Sequence, residues 1–454
     1  MTLAIHPEAA ERVRELVANT MAKVSTQGKQ PQVAAPAYQP EYYVAGRIAE
    51  KDVIGGIVRT QTDRFGNEVG RALGDDEGEV HLHGDAHETF ARACDVIWKQ
   101  KSVRHAISIQ TVRNLVFDWV CNAHRGSTTK SVVEFVLGKC EELIDEWEVI
   151  LPIAGLHVEA PFAIGRVGFK DLSKAECAQF RQASLSREGA NLSVLERLHD
   201  KLERDYQGKA TARVTLQAER EFAIEQAFGQ SELALAALRL VSIGAFAPER
   251  PTIMDLVGRE HVPSSAYLLI RSGAFVGPSK SVQFAPDMTP FIVDVDMIQT
   301  TLPAMIGHWS RALKSGTTTK FEEDAFRSML LYSRATTYRN ISEKLIHIFA
   351  ALESLLLRDD REPITAAAAD RLAFAVGHDG PSRMGVAKNM REAYSMRSKY
   401  VHHGAEPSAD SSDLAILEQF LVNVSQFYIN LSEPLRNHQD RVQYIDWLEA
   451  RKYE

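Results

Sequence analysis

The hydrophobic pattern is clearest in the last third of the chain, where it has a helical period. Apolar residues recur at alternating steps of four and three, which predicts one buried stripe on a helix of about five turns. The stripe consists of Ile341, Leu345, Ile348, Leu352 and Leu355. Asn340 is placed to cap this helix, and Glu343 follows in the capping-box position. Further helices are expected at about 366–376, 386–401 and 412–431, so the region is predicted to be an all-α bundle of four helices.

The first 315 residues mix helical and strand-like patterns, which predicts an α+β region. We expect an amphipathic helix from Pro7 to about Lys23, a Gln/Pro/Ala-rich linker up to Pro40, and short hairpin strands between 41 and 72. The later predictions are helices within 86–148 (one from Lys130 to Trp147), strands at 148–153 and 163–169, a helix over 192–240 that breaks near Gly208, strands within 266–293, and a helix over 297–313.

The expected domain boundary is the Ser/Gly/Thr tract at 315–319. The predicted organisation is therefore an N-terminal helix and linker (1–40), an α+β region (41–315) and a helical bundle (320–454).

Composition narrows the class of protein. The chain has 454 residues, enough for two or three domains, and its 45% hydrophobic and 25% charged content is typical of soluble globular proteins. A formal net charge of −8 argues against a general nucleic-acid binder with a large basic face. The sequence lacks a membrane-spanning apolar run and a signal-peptide core, and its four cysteines show no short paired spacing. We therefore expect a cytoplasmic protein with reduced thiols and no membrane partner.

Candidate chemistry is concentrated between Arg397 and Gly404. Arginine offers a fork of donors that matches phosphate oxygens, and histidine can move a proton near neutral pH. Together they are the minimum equipment for cleaving a phosphodiester without a metal ion. Four residues separate Arg397 from His402 and five separate it from His403, so the identity of the base stays open.

Neighbouring charged residues extend this candidate site. Met390, Ala393 and Arg397 share one helical face, which points Arg397 inward, and Glu353 lies one position off the apolar stripe as its natural partner. Within 381–400 five basic residues oppose a single acid, and three of the five are predicted to contact RNA: Lys388, Arg391 and Lys399. The alternative interpretations are a solvated helix face for the basic strip and a helix-fastening ion pair for Glu353 and Arg397.

Three segments resemble the HEPN superfamily, and in particular its Apea-like HEPN domains. They are Ala351-Leu352-Glu353-Ser354-Leu355, Ala369-Asp370-Arg371-Leu372-Ala373, and the run from Tyr394 to Gly404. The signature of this family, an arginine followed after four to six residues by a histidine, maps onto Arg397 with His402 or His403. The resemblance covers residues 320–454 only. It implies a HEPN-like bundle that dimerises so that two signatures line one cleft and cleave RNA by attack of the 2′-hydroxyl.

The resulting hypothesis is a metal-independent endoribonuclease, a toxin or anti-phage defence effector that needs no cofactor. In it, His402 or His403 moves the 2′-hydroxyl proton, Arg397 stabilises the phosphorane, and Glu353 orients the arginine. The expected partners are RNA and a second copy in a homodimer or higher even oligomer, with a phage-derived or small-molecule trigger acting through the N-terminal region. The alternative is a non-catalytic HEPN module that dimerises and senses a ligand.

A second histidine-rich segment, from His81 to Glu88, packs three histidines and two carboxylates into eight residues. It resembles the His-x-His-x-Asp-His run of metallo-β-lactamase-type hydrolases, but Ala86 separates Asp85 from His87, so we interpret it as a solvated turn and predict no metal site. The absence of Gly-x-x-x-x-Gly-Lys-Ser/Thr and Gly-x-Ser-x-Gly motifs argues against NTP hydrolysis and serine-hydrolase chemistry.

Overall fold

The computed structural model describes residues 2–27, 57–75, 78–186, 192–259, 264–271, 274–282, 290–316, 319–359, 361–406 and 411–453. The chain divides into two compact units. The first unit is Met1–Trp147 with Thr215–Gln226, and the second is Glu148–Val214 with Ala227–Glu454. Within the described residues, no helix is long and apolar enough to cross a membrane.

The first unit packs helices against an antiparallel sheet with strand order β1-β4-β3-β2. Buried apolar residues from the sheet and from the long helices form one core, which includes Phe90, Val116 and Phe117. The elements are α1 (Pro7–Met21), β1 (Ser25–Gln27), β2 (Ile57–Thr62), β3 (Glu68–Asp75), β4 (Gly78–His83), α2 (Asp85–Trp98), α3 (Lys101–Arg104), α4 (Ile109–His124) and α5 (Val132–Leu143).

The predicted N-terminal helix is confirmed, and the hairpin strands expected between 41 and 72 are represented in the described residues by the β2–β3 hairpin, which extends to Asp75. Most of the expected linker and the strand predicted at 42–44 lie outside the described residues, whereas Ser25–Gln27 is a strand that pairs with β4. The helix expected to reach Trp147 was predicted too long, because α5 ends at Leu143 and Trp147 belongs to the next strand. Apolar residues occupy the alternate positions Trp147, Val149, Leu151 and Ile153, which favours a strand over a helix.

The second unit begins with an α/β segment whose main sheet has the strand order β10-β5-β9-β8-β7. β6 pairs in parallel with β13, and β11 and β12 form a hairpin. The elements are β5 (Asp145–Ala154), β6 (Leu156–Val158), β7 (Phe162–Ile164), β8 (Val167–Asp171), α6 (Lys174–Leu185), α7 (Leu192–Tyr206), β9 (Ala210–Ala218), α8 (Arg220–Arg239), β10 (Asp255–Leu256), β11 (Ser264–Arg271), β12 (Ala274–Val282) and β13 (Phe291–Val293).

The strand β9 corrects the prediction of a helix over 192–240. The helix does break near Gly208, which has a φ of 78°, but the chain then forms a strand that pairs with β8 before α8 begins. The stretch from Thr211 to Thr215 is rich in β-branched residues, which favour a pleated sheet. Pairing within the sheet therefore determines the conformation of this segment, although its charged flanks have a helical pattern.

The C-terminal part is helical, so the α+β region followed by helices agrees with the predicted fold class at that level. Its elements are α9 (Leu302–Ser315), α10 (Lys320–Ala335), α11 (Ile341–Leu356), α12 (Ile364–Val376), α13 (Gly380–His403), α14 (Ser411–Ile429), α15 (Pro434–Asn437) and α16 (Arg441–Ala450). The predicted stripe of α11 is buried except for the half-buried Ile341, and the Asn340 side chain accepts the backbone N–H of Glu343. α10 and α16 add to the four helices expected from the sequence.

The expected boundary at 315–319 ends a helix, but it is not the boundary of a compact unit. Residues on both sides of it pack together. Trp309 donates its indole N–H to the carbonyl of Tyr428 at 3.1 Å, and the Tyr332 hydroxyl donates to the carbonyl of Ala245 at 3.2 Å. The buried Lys344 ammonium donates to three carbonyl groups of the turn at 244–250. These buried contacts join the bundle to the residues that precede it.

Candidate functional site

The helix α13 carries Arg397 and both candidate histidines. Asp379 caps its first turn in a reciprocal capping box with Ser382. It ends at Gly404, whose φ of 66° is the left-handed conformation that glycine adopts without strain. His402 and His403 lie in the last turn and are exposed.

Glu406 fixes this helix end against the start of α11. Its carboxylate accepts the Ser342 hydroxyl at 2.6 Å and the Asn340 side-chain amide at 3.3 Å. Further along the two helices, the rings of Phe349 and Tyr394 meet edge to face with centroids 5.1 Å apart. These contacts show that α11 and α13 run antiparallel, and that the histidine-bearing end lies beside the first turn of α11.

Arg397 and Glu353 lie on these two facing helices. Because helical side chains lean toward the N-terminus of their own helix, residues on antiparallel helices can lean toward each other. Among the described residues the two do not form an ion pair, and Glu353 Oε1 and Arg397 Nε are buried without a hydrogen-bond partner. Burial raises the pKa of Glu353, and the nearby Arg397 charge lowers it in part. The predicted direct ion pair is thus replaced by two neighbouring polar side chains, each with an atom that lacks a hydrogen-bond partner among the described residues.

An aromatic platform positions Arg397, and the sequence analysis missed it. The guanidinium lies over the ring of Tyr394, with 5.7 Å between its central carbon and the ring centroid. Tyr394 packs on Phe349, which in turn stacks on Phe420 of α14 at 5.3 Å. The spacing of three residues between Tyr394 and Arg397 is the signal in the sequence that could have indicated this contact.

The two histidines do not share the face of α13 that carries Arg397. An α-helix turns by about 100° per residue, so residues five apart point about 140° from each other. α13 continues through His403, so this rotation applies to His402, while His403 points about 120° away in the other sense. Arg397 is half-buried and both histidines are exposed. Within one chain, the helix therefore directs the arginine and the histidines to different sides.

The five basic residues within 381–400 offer less positive charge to a ligand than their number indicates. Arg391 pairs with Asp370 of α12 at 2.7 Å, and Lys388 lies 3.9 Å from Glu392. Arg383 donates to the backbone carbonyls of Gly377 and Arg451. Lys399 is exposed and makes no ion pair with the residues that the structure describes. Of the three predicted RNA contacts, Lys399 alone thus offers a charge that no acid in this part of the chain neutralises.

Arg371 lies in a buried network of ion pairs and hydrogen bonds between helices. It is buried and binds Glu362 through two parallel hydrogen bonds of 2.6 and 2.7 Å, and it also binds Glu449 of α16 and the carbonyl of Leu356. Arg371 and the neighbouring Arg358 hold the pKa of Glu362 down to about 2. Arg371 therefore joins α12 to α16, and its hydrogen bonds are made with residues other than Arg397 and Glu353.

The histidines of the segment 81–88 are divided between two surroundings. His81 and His83 lie on β4, and His87 on α2 lies 3.0 Å from Glu68. Within the described ranges, no three histidine, cysteine or carboxylate side chains converge as a metal-binding group.

Comparison of this chain with protein-family models, with curated proteins and with solved structures found no match.

Proposed function

We propose that the chain is a metal-independent endoribonuclease of the HEPN type, whose C-terminal helices bind a phosphodiester at Arg397. The observation that carries the proposal is a pair of buried atoms, Arg397 Nε and Glu353 Oε1, that find no hydrogen-bond partner among the described residues. They lie beside a helix that ends in two exposed histidines. Buried polar atoms without partners are rare in folded proteins, and a bound ligand is one way to satisfy them. A phosphate oxygen would accept from Arg397, and a ribose hydroxyl would donate to Glu353.

In the proposed reaction, the 2′-oxygen attacks the adjacent phosphorus and the bond to the 5′-oxygen breaks. The products are a 2′,3′-cyclic phosphate and a 5′-hydroxyl end. His402 or His403 takes the 2′-hydroxyl proton, and the leaving 5′-oxygen receives a proton from a second histidine of the site that two copies complete. Arg397 stabilises the charge that develops on the phosphorane oxygens, while Tyr394 and Glu353 restrict the arginine. The reaction uses no cofactor.

The separation of Arg397 from the histidines on α13 supports a site completed by two copies. A second copy can present its exposed histidines to the Arg397 face of the first copy, and the first copy can do the same for the second. Lys399 adds an unpaired positive charge for the RNA backbone, with smaller contributions from Lys388 and Arg391. In the same proposal, the α+β region receives the activating signal, a phage-derived or small-molecule trigger, and the cell uses the enzyme as a toxin or defence effector.

Incubation of the purified full-length chain with total RNA tests the reaction. We expect cleavage that persists in EDTA, because no step uses a metal ion, and fragments with 5′-hydroxyl ends. Labelling by polynucleotide kinase without prior phosphatase treatment measures these ends. Cleavage that EDTA removes, or fragments with 5′-phosphate ends, would contradict this mechanism.

Oligomeric state gives an independent test. We expect light scattering to find a homodimer or a higher even oligomer built through residues 320–454. Val401 is an exposed apolar side chain that precedes His402 and points within about 40° of Arg397. Val401→Glu should therefore dissociate the assembly, because it places a charge in the contact.

Val442→Glu is the matched control for Val401→Glu. Val401 and Val442 are both 47% exposed, but Val442 lies on α16, so its replacement should leave the assembly intact. A monomeric wild-type chain that still cleaves RNA would exclude the shared site.

The second candidate function is a non-catalytic module that dimerises and senses a ligand. The same helical rotation favours it, because Arg397 and the histidines of one chain do not converge. An intact oligomer without RNA cleavage under any condition would support this function.

A further inference from the structure

The strand β4 places two histidines side by side on the face of the sheet away from the core. His81 and His83 are two residues apart, and Leu82 between them is fully buried on the opposite face. The two imidazole rings stack with centroids 5.3 Å apart and an angle of 28° between their planes. His81 Nδ1 and His83 Nε2 are 3.2 Å apart.

Small residues on β3 leave space for these rings. Gly70 is the cross-strand partner of His83, and Ala72 is the partner of His81. A methyl group at position 70 would lie 2.6 Å from His83 Nδ1 and 3.0 Å from Gln61 Oε1, closer than non-bonded atoms approach. The present position of the His83 ring therefore depends on glycine at this position.

Two ring nitrogens that face each other at this distance need either a shared proton or a cation between them. If both were unprotonated there, their lone pairs would repel. In a tetrahedral zinc site, Zn–N bonds of about 2.0–2.1 Å hold two imidazole nitrogens about 3.3 Å apart. A square-planar arrangement with the same bonds would bring them to about 2.9 Å. The observed 3.2 Å is close to the tetrahedral value and is also within the hydrogen-bond range.

We propose that His81 and His83 form an open chelate for a divalent cation of the zinc class. The two imidazoles supply two ligands, and water or a group on a partner supplies the others. His83 is exposed, so the cation can reach the pair from solvent. Among the other members of the segment, His87 contacts Glu68, and Asp85 contacts Lys23 at 3.3 Å. The proposal is independent of the nuclease, whose residues belong to the second unit.

Zinc binding to the full-length chain tests this inference. The protein is stripped with EDTA, desalted, and titrated with Zn²⁺ by calorimetry, and with Co²⁺ to follow the visible spectrum of a tetrahedral site. Loss of a group that only orients a ligand already costs about 10-fold to 100-fold in metal affinity, so removing both ligands should cost at least as much. We expect this loss in H81A/H83A. Binding should also weaken as pH falls, because protons compete with the metal ion for the same nitrogens.

Two further variants separate the chelate from other causes. Gly70→Ala keeps both ligands but displaces the His83 ring, so it should weaken Zn²⁺ binding by about tenfold or more, as for a lost orienting group. H402A/H403A removes the other histidine pair and should leave this binding event unchanged. If H81A/H83A does not fold, as judged by circular dichroism, His83→Gln at the exposed position takes its place. Absence of Zn²⁺ binding to the wild type, or equal binding to the wild type and to H81A/H83A or His83→Gln, would show that the nitrogens share only a proton.

Discussion

Replacing Arg397 by alanine should abolish RNA cleavage while leaving the fold intact. The antiparallel helices α11 and α13 hold the half-buried Arg397 guanidinium over Tyr394 and near Glu353. Within the described part of the site, it is the one cationic group in this position. Removal of a single preorganised donor to a transition-state oxyanion typically costs about 100-fold to 1000-fold in rate, and a charged donor should cost at least as much. Initial rates on a labelled RNA in EDTA, with circular dichroism as the fold check, measure the effect.

The histidines assign the base in the same assay. His402→Ala should lower the rate by about 100-fold or more, as expected for a lost general base. Full loss in His403→Ala with an active His402→Ala would transfer this role to His403. Arg327→Ala is the control, because it removes an exposed arginine of α10 whose partners are Glu323 and Asp324. An active Arg397→Ala protein would refute the proposed site.

Glu353→Gln should give an intermediate result in that series. Stability should change little, because the amide can still accept a hydrogen bond. Burial raises the pKa of Glu353, so replacing the carboxylate by a neutral amide also removes part of the cost of desolvating it. Activity should fall because Arg397 loses the neighbouring negative charge. Unchanged activity would make Glu353 an ordinary acid at the edge of the bundle.

Local patterns in the sequence predicted the helices of the bundle well. The stripe from Leu345 to Leu355 is buried as expected, and the caps at Asn340 and Gly404 lie where the sequence indicated. These features depend on residues three to five apart along the chain. Strand β9 shows the limit of this approach, because its conformation depends on the neighbouring strands of the sheet.

The residues of the candidate site were chosen by type, and the sequence did not predict their arrangement. Helical periodicity alone could have shown that Arg397 and His402 face different directions, since they lie five residues apart. The ion pair between Arg391 and Asp370 and the anchoring of Glu406 on Ser342 could not have been read from spacing. Both contacts join residues more than 20 positions apart, and helix packing alone brings them together. The net charge of a segment therefore overstated the charge available to a ligand.

Replacing Arg371 by alanine should destabilise the second unit by about 3 kcal/mol, the lower end of the range for breaking a buried ion pair. The substitution removes the N–H groups that donate to Glu362 and Glu449, and it leaves the Leu356 carbonyl without its arginine donor. The loss should depend on pH. The pKa of Glu362 is about 2, below its usual value, so its contribution to stability is complete above about pH 4.5 and is lost as pH falls toward 2. Denaturant unfolding at several pH values measures both effects.

Arg391→Ala is the matched control for Arg371→Ala, because its partner Asp370 is the residue next to Arg371. Both side chains of that surface pair are about half exposed, so its loss should cost no more than about 1 kcal/mol. The acid-dependent part of the stability should remain in Arg391→Ala and flatten in Arg371→Ala. Amide hydrogen exchange should place the weakening in α12 and α16, which Arg371 joins. If both variants lost the same stability, Arg371 would contribute no more than a solvated surface pair, and the packing of these helices would depend on their apolar residues alone.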